Sequence, residues 1–136
     1  MEAIKVLFAG VLLSGLIFSA ESFGAAASNT PQSISGGGVT AKVTYLNPGT
    51  TDEPRFQVVL DTHSVDLDAY DLKSIIDLRD DAGTTYVSTG VENKSGGHHR
   101  EATLGFFRLS SDVKRIDLAI KDVAAVKERV FRWNVD

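Results

Sequence analysis

All three histidines of the chain lie in two short segments. His63 stands in Asp61-Thr62-His63-Ser64-Val65-Asp66-Leu67-Asp68, and His98 and His99 stand in Gly96-Gly97-His98-His99-Arg100. Neutral imidazole suits copper, zinc or nickel, and a nearby carboxylate can complete such a set. His63, His98 and His99, with Asp61 or Asp66, are therefore candidate ligands of a transition metal, copper or zinc first. Adjacent residues of a regular strand point to opposite faces. His98 and His99 can reach one ion together only from a loop; on a strand, one of them is left to orient the site or serve elsewhere.

Two other readings compete. Asp66, Asp68 and Asp71 crowd one loop with the oxygen ligands that calcium takes, but the glycine and terminal glutamate of an EF-hand are missing. The plainest reading needs no ion. Asp and Ser side chains satisfy loop backbone groups, His63 and one of the other histidines hydrogen-bond across the loops, and Gly96-Gly97 lets the chain turn. Catalysis has less support. Ser64 beside His63 is no triad, neither Gly-x-Ser-x-Gly nor His-Glu-x-x-His occurs, and no glycine-rich phosphate loop leads into a helix. The sequence points away from an enzyme.

These residues need a scaffold, and the apolar pattern supplies one. Alternation of period two marks strands at 39–45, 55–62, 72–79, 84–87, 98–108, 113–121 and 127–135. Asn47-Pro48-Gly49, Asp80-Asp81-Ala82-Gly83, Ser110-Ser111-Asp112 and residues 122–126 carry turn chemistry. Val65, Ala69, Leu72 and Ile76 have helical spacing, which leaves room for one helical turn near 66–71. The expectation is all-β: a seven-stranded antiparallel sandwich of the immunoglobulin-like type. Phe56, Val58, Leu60, Leu78, Leu104, Phe106, Ile116, Leu118, Ile120, Phe131 and Trp133 are the expected core.

Alternating strand direction then makes a positional claim. The end of strand 55–62, the start of strand 98–108 and the 122–126 turn should share one end of the sandwich, away from the Asp80–Gly83 turn. In the immunoglobulin order those two strands are also neighbours. The binding end would be formed by the loops at 61–68, 92–100 and 122–127.

The first residues read differently. A short basic start, an apolar run over 6–20 and small residues at 24–27 have the layout of a secretory signal peptide. Residues 1–27 are assigned to it, 28–37 to a flexible tether and 38–136 to the domain; an uncleaved anchor is the alternative, and the only expected link to a membrane. The chain has no cysteine, which excludes disulfides and zinc–thiolate sites, so the core alone must hold the domain. A net charge of −4 lacks the basic stripe that nucleic-acid binding needs.

As a set, the Asp61–Asp68 segment, Leu78-Arg79-Asp80-Asp81 with Gly83, Gly96–Arg100 and Val130-Phe131-Arg132-Trp133 resemble a group of small exported prokaryotic β-sandwich domains. The resemblance spans residues 38–135 and implies export and an all-β fold, but no ligand or reaction. The expected role is a periplasmic or extracellular, non-catalytic binding or accessory module whose partner is a protein or a metal. A structural or adhesive domain with loop-locking histidines is the alternative.

Overall fold

A computed structural model describes residues 28–50 and 52–135. The signal-peptide assignment, residues 1–27, and the last residue lie outside these. Among the described residues no helix is long and apolar enough to cross a membrane.

Among the described residues, nine strands form two antiparallel sheets. One has the order β1 (Gln32–Gly36), β2 (Val39–Tyr45), β3 (Arg55–Thr62), β7 (His99–Phe106), β6 (Ser88–Ser95). The other has the order β5 (Thr85–Tyr86), β4 (Ile76–Asp80), β8 (Arg115–Val123), β9 (Val126–Asn134). Alternate residues of both sheets turn inward, and the whole expected core is buried between them. Trp133 packs against Phe56 and Tyr45, with ring centroids 5.2 and 5.9 Å away.

Three expectations need correction. The stretch assigned to a tether contains β1, paired along its length with β2, and Ile34 packs on the core. The loop expected at 92–97 is largely β6, an edge strand with irregular register at Ser88/Gly90 and Asn93/Ser95. The strand expected from Leu72 starts at Ile76, because Asp71 caps a single turn, α1 (Leu72–Ile75), by accepting a hydrogen bond from the Lys73 N–H. The expected helical turn is present as a 3-10 turn over Leu67–Ala69. Among the described residues the strand count is therefore nine, where seven were expected.

The outer face of β4, β8 and β9 carries a ladder of ion pairs. Arg132 holds Asp117 with two hydrogen bonds of 2.8 and 2.9 Å, and Arg79 reaches Glu128 at 2.7 Å. Opposite charges across strands suit a solvated sheet face.

At one end, Asp80 organises the β4–β5 turn. Its carboxylate accepts from Ala82 N, Thr84 N and the Tyr86 hydroxyl at 2.8–2.9 Å. Burial acts to raise this carboxyl, but the hydrogen bonds from Thr84, Tyr86 and Ala82 outweigh it and hold it below the usual range. A folded-state value below the unfolded one gives stability that is present above the unfolded carboxylate value, about pH 4. That stability is lost as pH falls through the folded value. Acid melts should therefore show Asp80→Asn losing least stability, relative to the parent, at the lowest pH. A difference that stays constant from pH 7 to pH 2 would contradict this.

At the other end, the β8–β9 turn is strained. Ala124 and Ala125, its two central residues, have φ of 52° and 61°, and Asp122 has 55°. This left-handed conformation costs a non-glycine residue roughly 1–2 kcal/mol. The turn is held from outside: Ala124 N–H donates to the Tyr70 hydroxyl at 3.0 Å, and Arg129 Nη1 donates to Val123 O at 3.0 Å. Gly37, at φ 62°, approaches so closely that a Cβ there would lie 2.2 Å from Ala124 O. Ala125→Gly should relieve the strain and stabilise the protein by about 0.5–1 kcal/mol, read as a rise in melting temperature; a fall would show the turn is not strained.

Candidate functional site

Strand pairing builds the site. β3 and β7 are antiparallel neighbours, with Asp61 directly opposite His99. The Thr62 N–H donates to His98 O at 2.9 Å and extends the pairing past the strand end. Phe56, Val58 and Leu60 point inward, so Asp61 points outward, as does its partner His99. Their side chains meet through Asp61 Oδ1 and His99 Nδ1.

Thr62 takes the next inward position and is 8% exposed. Its hydroxyl donates to Gly38 O at 2.8 Å and accepts from the Ser64 and Val65 N–H groups at 3.3 and 3.2 Å. The turn carrying His63 is thereby fixed to β3. Asp61, Thr62, His63, His98 and His99, with Gly38 and Thr40, line one open pocket of about 420 Å³.

The sequence thus located four of its five candidate ligands at one pocket: Asp61, His63, His98 and His99. The fifth, Asp66, is not among the lining residues; its Oδ1 accepts from Asp68 N–H at 3.1 Å and caps the 3-10 turn. His99 opens β7 and His98 precedes it. Among the described residues, no group of three or more His, Cys, Asp or Glu side chains converges to hold a metal ion. The three imidazoles border one pocket without forming a closed set.

The three aspartates considered for calcium each bind backbone instead. Asp66 and Asp71 cap short turns, and Asp68 Oδ1 accepts from Gly97 N–H at 3.0 Å across the loops. Gly96 leaves room for this approach: a Cβ there would lie 2.7 Å from Asp68 Oδ1, and the carboxylate would have to shift. Arg100 Nη1 donates to Leu67 O at 2.7 Å and also to Tyr70 O, tying the 67–70 segment to β7.

The end of β3, the start of β7 and the β8–β9 turn share one end of the sandwich. The β8–β9 turn lies at the histidine end, through the approach of Gly37 to Ala124. The Asp80–Gly83 turn lies at the other, beside the start of β8. Gly38, Thr40 and Thr62 were not singled out from sequence. Thr62 was legible in principle: it continues the inward series Phe56, Val58, Leu60 and so marks a polar group at the core rim.

No protein-family model, curated protein or solved structure matches the chain.

Proposed function

We propose that the chain is an exported, non-catalytic binding module of immunoglobulin-like topology that takes copper or zinc at its histidine end. The topology is supported by strand order. Setting β1 aside, β2-β3-β7-β6 and β5-β4-β8-β9 follow the A-B-E-D and C′-C-F-G orders of that fold. Export rests on the layout of residues 1–27.

The observation that carries the metal reading is the Asp61–His99 contact. A metal-bound histidine commonly gives its second ring N–H to a carboxylate, which fixes its orientation and raises its basicity. With Nδ1–H donated to Asp61, the Nε2 lone pair of His99 is free for an ion. Asp61 then orients the ligand rather than being one. His63 and His98 border the same pocket and supply further imidazole. Water or a side chain from a protein partner completes so open a site.

A second reading is favoured by the Asp68–Gly97 and Thr62–His98 hydrogen bonds: a structural or adhesive domain whose histidine loops are merely locked. Calorimetric titration with copper(II) and zinc separates the two. Binding weakened by His99→Ala and His63→Ala, weakened about 10–100-fold by Asp61→Asn and untouched by Asp66→Ala supports the metal site. No binding to the parent protein, with lower melting temperatures for the histidine variants, supports the structural reading. The Asp61–His99 pair is more than half exposed on average, so its loss should itself cost under about 1 kcal/mol.

A further inference from the structure

The end opposite the histidines holds a second concavity that the metal reading does not use. Gly49, Thr50 and Asp52 after β2, residues 108–111 and Val113 after β7, and Val135 enclose about 560 Å³ there, within the size range of small-ligand sites. Its apolar lining is Tyr45, Leu109, Val113 and Val135; Arg108 and Asp52 are the charged groups on it. Tyr45 is 3% exposed and Val113 7%, so the apolar part belongs to the core rather than to a loose surface. Tyr45 is itself fixed, stacked on Phe56 with centroids 4.6 Å apart.

The charged groups are loosely held. Arg108 and Asp52 approach only to 4.0 Å, with side chains 67% and 81% exposed. An exposed pair at that distance contributes little, so the guanidinium can turn to an incoming carboxylate, which it binds with two parallel hydrogen bonds. The cavity thus offers an apolar floor and one available cation.

We infer that this cavity binds a medium-chain monocarboxylate, with the hydrocarbon against Tyr45, Leu109, Val113 and Val135 and the carboxylate on Arg108. The site is separate from the histidine end and does not depend on metal binding.

Decanoate is the probe, with decanol as its uncharged counterpart. Trp133, the only tryptophan, lies against Tyr45 and reports occupancy by fluorescence; calorimetry gives the stoichiometry. The expected result is one saturable site for decanoate, with decanol much weaker. Arg108→Gln should weaken decanoate about tenfold or more without changing the melting temperature, because Arg108 is exposed. Val135→Phe, which fills the cavity, should weaken both probes. Absence of saturable decanoate binding at millimolar concentration overturns the inference. So does binding that is equal for decanol and unchanged in Arg108→Gln.

Discussion

Arg129→Ala should destabilise the protein by about 3–5 kcal/mol, read as a lower denaturation midpoint at unchanged slope. Arg129 is 1% exposed and occupies an inward position of β9, in series with Phe131 and Trp133. Among the described residues no carboxylate pairs with it. Instead Nη1 donates to Val123 O at 3.0 Å and Nη2 to Gly36 O at 2.6 Å. Burial pushes the guanidinium below its ordinary value, yet an arginine stays charged. Truncation leaves two carbonyl oxygens without their donor, at roughly 1–3 kcal/mol each, and a cavity besides. Arg129→Met keeps most of the volume and removes only the donors, and Arg129→Lys offers one ammonium where a fork is needed. If Arg129→Met proves as stable as the parent, the two hydrogen bonds are worth nothing net and this explanation is wrong. Because Gly36 leads directly to Gly38 of the histidine pocket, the alanine variant should also exchange β1 amide hydrogens faster than the parent.

Trp133→Ala should cost about 3–5 kcal/mol. The indole packs against both rings of the stacked Tyr45–Phe56 pair, at 1% exposure. A domain of this size has about 5–15 kcal/mol in total, and without cysteine no disulfide limits its unfolded state. Trp133→Ala should therefore melt only slightly above ambient temperature, or not fold. Trp133→Phe retains an aromatic ring and should cost clearly less. Thermal melts followed by circular dichroism decide; an alanine variant within a few degrees of the parent would show that the core closes around the gap.

Strands with several inward apolar residues were legible in the sequence, the edge strand β9 among them, and the polar edge strands β1 and β6 much less so. β2, β3, β7, β8 and β9 each carry several inward apolar residues, so period two stands out. β1 has Ile34 alone and β6 only Val91 packed on the core; an edge strand with polar neighbours on both faces looks like linker or loop. Leu72 fits both a strand and a helix, and the Asp71 cap decided between them. At the site, strand alternation correctly brought His63, His98 and His99 to one end, because it depends on direction and neighbourhood rather than on side-chain detail. It could not tell Asp61, which faces His99, from Asp66, which caps a turn. Arg129 was missed for a related reason: an arginine in an alternating strand reads as an outward residue, and only the two carbonyls it serves, Val123 O beside the β8–β9 turn and Gly36 O at the end of β1, explain why one is needed inside.

The most direct test of the histidine site is the electron paramagnetic resonance spectrum of the protein with one equivalent of copper(II). Nitrogen hyperfine splitting from imidazole, altered in His99→Ala and in His63→Ala and lost when all three histidines are replaced, is the expected result. A spectrum unchanged by replacing all three histidines with alanine, or one showing only hydrated copper, would contradict it.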